Sequence, residues 1–211
     1  MAPEDKEVFA RFWDFFGLEE VERSLFPVPP MDSNFLSSEQ RTKITEWIQE
    51  NTTCTLPPAA LLYRGSRDGW SSANFHSHCD NKGPTVTVIR STGGYIFGGY
   101  TDQPWASNGD WVTSSKAFLF VLHCHSGLDP TKMPLKGSSN QHAHYNCSSY
   151  GPTFGAGHDL MLGNNANSGN NSAFSIGNTY QCPAGQDSST FLTGGGYFQV
   201  DEMEVLRLVT T

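Results

Sequence analysis

From residue 61 to the end, the chain never sustains an apolar or β-branched run for long before a glycine, asparagine or proline turn interrupts it. Helices need longer uninterrupted periodicity, so this pattern makes the region mainly one of short strands. The runs are Leu61–Tyr63, Thr85–Ile89, Tyr95–Tyr100, Ala117–His125, Ala143–Cys147, Leu160–Leu162, Ala173–Ile176, Tyr197–Val200 and Glu204–Val209. Thr92-Gly93-Gly94 joins the second and third as the clearest hairpin. Phe118 to Leu122 are five apolar residues in succession, which suits a buried strand in the middle of a sandwich. The fold class expected is mainly β with short helices (α+β): a two-sheet antiparallel β-sandwich with an N-terminal helical segment.

The first third reads differently. Val8, Phe9, Phe12, Trp13 and Phe16 share one helical face, with Pro3 suited to the start and Gly17 to the end. A second helical stretch runs to Phe26, where Pro27, Pro29 and Pro30 stop it. Ser37 with Gln40 has the pattern of a capping box, and Ile44, Trp47 and Ile48 make the apolar face of the short helix that follows, with Asn51 as its stop. Residues 54–58 read as a connector and Arg64–Gly69 as a polar loop, with Ser71 or Ser72 capping a brief helix to Cys79. The expected division is a helical extension, 1–55, packing on a core domain, 56–211.

Charge narrows the function. A formal charge of −8 with no basic run disfavours phosphate backbones, so nucleic acid is not an expected partner. The start, MAPEDKEVF, lacks the basic and apolar regions of a secretory signal, and no apolar stretch of about 18 residues offers a membrane span. Five cysteines do not pair off, so reduced thiols and a cytoplasmic location are the expectation, with the sequons at Asn51, Asn146 and Asn170 unused.

Six of the seven histidines form His-x-His pairs: His76/His78, His123/His125 and His142/His144. On a strand such a pair shares a face and can share a metal, yet no Cys-x-x-Cys or His-Glu-x-x-His spacing accompanies them, so no metal and no cofactor is assigned. Cys79 beside His78, and Cys124 between two histidines, keep open a cysteine-based hydrolase or a peroxide-consuming enzyme. Gly98-Gly99 and Gly194-Gly195-Gly196 lack the lysine of a phosphate loop and read as turns or places of close backbone approach. The carboxylates Asp68, Asp102, Asp159, Glu202 and Glu204 suit either a polar site or turn-locking bonds to backbone N–H groups, the latter being favoured. Trp105 and Trp111, in a Pro/Ser/Asn/Gly stretch, suit interface anchors or a fold-back over the sandwich edge.

Several segments, taken in order, resemble the TLDc family. They are Leu61-Leu62-Tyr63-Arg64-Gly65-Ser66-Arg67-Asp68-Gly69-Trp70, Phe75-His76-Ser77-His78-Cys79-Asp80, Gly98-Gly99-Tyr100-Thr101-Asp102 with Trp105, Ser149-Tyr150-Gly151-Pro152-Thr153-Phe154-Gly155, Gly157-His158-Asp159-Leu160 and Asp201-Glu202-Met203-Glu204-Val205. The resemblance covers the chain from about Leu61 nearly to its end. It implies a sandwich of two antiparallel sheets, a role in resistance to oxidative stress, no established enzymatic activity, and binding to the vacuolar-type proton ATPase. On that reading Arg67, Asp68, Asp102, Trp105, Asp159 and Glu202 are the candidate partner-binding residues. An oligomerisation module using the N-terminal helices is the remaining alternative.

Overall fold

The structure, a computed structural model, describes Ser33 and residues 35–210 apart from Pro58, Ser138 and Ser139. The two helices expected before Pro27 lie outside the described residues. The third is present: α1 (Ser38–Gln49) begins at Ser37, whose hydroxyl accepts the Gln40 N–H while the Gln40 side chain accepts the Ser37 N–H. Such reciprocal capping satisfies two of the N–H groups that a helix start leaves bare.

Two six-stranded antiparallel sheets face each other. The first contains β2 (Leu61–Arg64), β3 (Thr85–Ser91), β4 (Ile96–Thr101), β6 (Phe118–His123), β7 (Thr131–Pro134) and β13 (Val200–Arg207), in the order β2-β13-β3-β4-β6-β7. The hairpin expected around Thr92-Gly93-Gly94 is β3–β4. The second sheet is built from β5 (Trp111–Val112), β8 (His144–Tyr145), β9 (Thr153–Phe154), β10 (Leu160–Met161), β11 (Ser172–Phe174) and β12 (Tyr197–Phe198), in the order β12-β11-β10-β9-β8-β5. β1 (Cys54–Thr55), within the expected connector, pairs with β14 (Val209–Thr210) as a separate two-stranded ribbon.

The first sheet is buried on both faces, which explains its continuous apolar runs. Side chains alternate across a strand. Phe118, Phe120 and Leu122 therefore face one way and join Val86, Val88 and Leu206 under Ile44, Trp47 and Ile48 of α1. Leu119 and Val121 face the other way and meet Phe154, Leu160 and Phe174 of the second sheet. Each large apolar side chain so buried is worth about 1.5–3 kcal/mol relative to exposure. The glycines of β4 allow close approach, Gly99 to the second sheet and Gly98 within the first. A Cβ on Gly99 would lie 2.7 Å from the ring tip of Phe154, and one on Gly98 would strike the Thr87 carbonyl. These glycines mark close approach, as their isolation from any lysine implied.

Two further helical pieces lie between β2 and β3: a single turn, α2 (Gly65–Asp68), where a polar loop was expected, and α3 (Ser72–Cys79). Ser71, rather than Ser72, caps α3, in a capping box with Asn74.

Candidate functional site

The segment Arg64–Gly69 turns sharply from β2 into α2, and two carboxylates hold it there. Asp68 accepts the Arg64 backbone N–H at 2.9 Å and is gripped by Arg67 through Nε at 2.7 Å and Nη2 at 2.8 Å. That guanidinium holds the Asp68 carboxyl below its usual pKa. Glu202, reaching across from β13, accepts the Ser66 N–H at 3.1 Å, the Ser66 hydroxyl, and the Met203 N–H at 3.0 Å. Arg64 bonds buried Glu204 at 2.9 Å. Gly65 is required because a Cβ there would sit 2.6 Å from the Trp70 ring. The result is a fixed turn that leaves the Arg67 side chain 47% exposed, with its guanidinium held by Asp68 and the Leu62 carbonyl.

Asp80, Asp102 and Asp159 act in the same way elsewhere. Asp80 accepts from Ser107 at 2.7 Å and lies 2.8 Å from His76 Nδ1, while His76 Nε2 faces the Cys147 and Tyr150 carbonyls at 3.1 Å. This group has the composition of a serine triad but not its connectivity: the serine bonds the carboxylate, and the imidazole nitrogen that would serve as base is occupied by carbonyls. Asp102 accepts the Ser114 hydroxyl and the Gln103 amide. Asp159 is fully buried and accepts N–H groups from Gly177 at 2.6 Å, Asn178 at 2.9 Å and Thr179 at 2.8 Å. Burial raises its pKa against the opposing pull of those donors.

The six nominated residues thus divide. Arg67 is on the surface, and Asp68 and Asp102 are half-buried. Trp105 and Asp159 are wholly inside and Glu202 nearly so, which removes their side chains from direct partner contact. Trp105 folds back into the core because its indole N–H finds Thr85 Oγ1 at 2.9 Å. Once that polar group is satisfied, the ring packs edge-on to Phe75 and Phe154, with centroids at 5.4 Å and 5.3 Å. Of the two tryptophans considered, Trp111 is the exposed one.

The histidine pairs do not converge. His76 and His78 lie on α3, where residues two apart point to different sides; His78 bonds the Asn74 carbonyl at 2.8 Å. His142 packs on Trp111, whereas His144 is buried on β8, 3.1 Å from Thr101 Oγ1 and 4.4 Å from the Trp105 ring. Burial pushes the His144 pKa down to about 4. His123 and His125 share a neighbour, Tyr95, whose hydroxyl is 3.1 Å from His125 Nδ1. Among the described residues no three His, Cys, Asp or Glu side chains come together as metal ligands would. Cys79 is buried and its thiol pushed up by burial, away from the thiolate a nucleophile needs. Cys124 is also buried, with its sulfur 3.5 Å from Ser126 Oγ and 3.8 Å from the Leu128 carbonyl.

The family model of the TLDc domain matches residues 30–209, most of the chain. The chain belongs to the TLDc domain family. It is similar to the MTOR-associated protein MEAK7 of Danio rerio, 35% identical over 65 residues, covering 31% of this chain and 14% of that protein. The Gallus gallus protein of that name is 32% identical over 62 residues, 29% of this chain and 13% of the relative. The Mus musculus protein is 28% identical over 114 residues, 46% of this chain and 25% of the relative. The matched stretches therefore span a quarter or less of those relatives' length.

In this TLDc domain the segments that carried the resemblance are largely the locks just described. Arg64–Trp70 is the fixed turn, Phe75–Asp80 ends in the Asp80 clamp, and Asp159 holds the loop at 177–179. Asp80 was not among the nominated residues, although its position at the end of α3, four residues after His76, is a readable signal. His144 Nδ1 with Thr101, and Ser114 with Asp102, carry no local sequence signal because their partners are 43 and 12 residues away.

Proposed function

We propose that this TLDc domain is a binding and regulatory module without a catalytic centre, working in the cytoplasm in defence against oxidative stress. The observation that carries the reading is the rigid turn at Arg64–Gly69, where carboxylates fix the backbone and leave one arginine exposed. A pre-formed loop with a half-exposed arginine side chain, already oriented by Asp68, suits recognition of a protein carboxylate, because little conformational freedom is lost on binding. The other half of the support is chemical: burial raises the Cys79 thiol pKa and carbonyls occupy His76 Nε2, so neither is an activated nucleophile or base. No helix among them is long and apolar enough to cross a membrane.

The partner proposed from the family resemblance is the vacuolar-type proton ATPase, approached through Arg67, with Asp68 fixing its turn and Asp102 fixing the loop that carries Ser114. A second reading is supported by the relatives' own description as MTOR-associated: the partner is then an MTOR-containing assembly. Affinity capture from lysate with the full chain, compared with Arg67→Glu, tests both. Recovery of proton-ATPase subunits lost in the variant supports the first, and recovery of MTOR supports the second. Equal recovery by both proteins, with folding intact, removes Arg67 from the account.

A further inference from the structure

An edge strand presents backbone N–H and C=O groups outward, and such an edge pairs with another chain unless something blunts it. Among the described residues the two sheets end in β2 and β7, and in β12 and β5. β12 and β5 are two residues long, which leaves little ladder to extend. β7 follows Pro130 and ends in Pro134, and proline cannot donate to a ladder. β2 has the sequence Leu-Leu-Tyr-Arg, with no proline and mostly apolar or aromatic side chains. By composition it is the edge best suited to accept a further strand.

A pair of side chains stands at that edge. Arg67 Nη2 donates to the Leu62 carbonyl at 3.3 Å and to Asp68 Oδ2 at 2.8 Å. The same Oδ2 accepts the Arg64 N–H at 2.9 Å. Carbonyl, guanidinium, carboxylate and amide therefore form one continuous chain that brackets Tyr63. A neighbouring strand would offer the same chemistry: a donor for the Leu62 carbonyl and an acceptor for the Arg64 N–H. The register with β13 slips opposite Leu62, and such a bulge bends the strand there. The pair is held from behind, because Glu202 accepts the Ser66 N–H and the Trp70 ring packs against Gly65.

We propose that Arg67 and Asp68 form a latch on the β2 edge: their side chains stand in for a neighbouring strand and keep β2 from pairing with a second molecule. Bracing the turn alone would use the Asp68 bond to Arg64. It gives no reason for Arg67 to reach back five residues to the Leu62 carbonyl. Closing the edge accounts for both bonds, and the planar guanidinium can serve the carbonyl and the carboxylate together. The latch is read from self-association and the partner contact from capture, so either can fail without the other.

Sedimentation equilibrium and amide hydrogen exchange of the full chain and two variants, from about 1 μM to about 1 mM, test the latch. Asp68→Ala removes the acceptor and the grip on Arg67. In dilute solution its Arg64 amide should exchange at least about tenfold faster than in the parent chain. As concentration rises, the variant should self-associate at least about tenfold more tightly than the parent, and the Arg64 amide should regain protection as β2 pairs. Arg67→Ala uncovers the Leu62 carbonyl alone; it should associate to a smaller degree, and it carries the test if Asp68→Ala does not fold. Circular dichroism at each concentration separates pairing of folded molecules from aggregation of unfolded ones. Folded variants no more prone to associate than the parent overturn the proposal, as does association confined to unfolded molecules. Association of Asp68→Ala that leaves its Arg64 amide open overturns it too, because the contact then lies elsewhere.

Discussion

The two sheets of this TLDc domain are stabilised in different ways. The first has central strands of six to eight residues, β3, β4, β6 and β13, and is covered on both faces. Backbone ladders and apolar volume hold it. The second has strands of two or three residues, and only near its middle, at β9, are both faces buried. Ladders that short supply few hydrogen bonds, so side chains complete the work: Asp159 on Gly177, Asn178 and Thr179, Asn146 on Ala106, and the Tyr180 hydroxyl on the Ala143 carbonyl at 2.6 Å. The lesson is that a sandwich of this kind has one sheet sensitive to lost volume and one sensitive to lost polar atoms.

The sharpest way to break that contrast is Asp159→Ala. It strips the acceptor from three backbone N–H groups, and each buried group left unsatisfied costs roughly 1–3 kcal/mol. A loss of about 4 kcal/mol or more in urea unfolding is expected, and a loss under about 1 kcal/mol would show that the second sheet does not depend on its locks. Phe120→Ala probes the first sheet, where the ring sits fully buried beside Trp47 at 6.2 Å. Its expected cost is about 3–5 kcal/mol, with the same urea measurement deciding.

Acid should act on the second sheet through His144. The unfolded chain takes up a proton near the ordinary 6.5, whereas the buried imidazole resists until about 4. Stability from this group is therefore complete above pH 6.5 and lost as the pH falls towards 4, by about 3 kcal/mol over that window. Denaturant midpoints measured across the interval should slope accordingly, and His144→Phe should flatten the slope whatever it does to the plateau. The smallest effect expected is at the helix start: Ser71→Ala removes the cap of α3 and should lower stability by about 1 kcal/mol in thermal or chemical melts.

Much of the architecture was readable in advance where the signal is local. The β3–β4 hairpin, the α1 capping box and the apolar run of β6 follow from turn chemistry, cap spacing and side-chain type, all of which act over a few residues. The segment Arg64–Gly69 looked like a loop because its helical turn has no apolar periodicity; Glu202, more than 130 residues away, holds it in shape. β5, β7 and β9 escaped notice because two to four residues carry no pattern of their own and become strands by pairing. Among the candidate residues the turn-locking role favoured for the carboxylates describes Asp68, Asp159 and Glu202. The fates of Trp105 and Trp111 were not readable, since burial depends on which neighbours the fold brings up.

By itself, the sequence determined the class of the molecule: many short strands with two short serine-capped helices beside them. Tertiary structure alone decided which sheet would be covered twice, which carboxylates would meet backbone N–H groups, and which tryptophan would keep a face in water. The physical reason is range. Propensity, capping and turn chemistry act between residues a few positions apart, whereas burial and polar satisfaction are properties of neighbours that only the folded chain assembles.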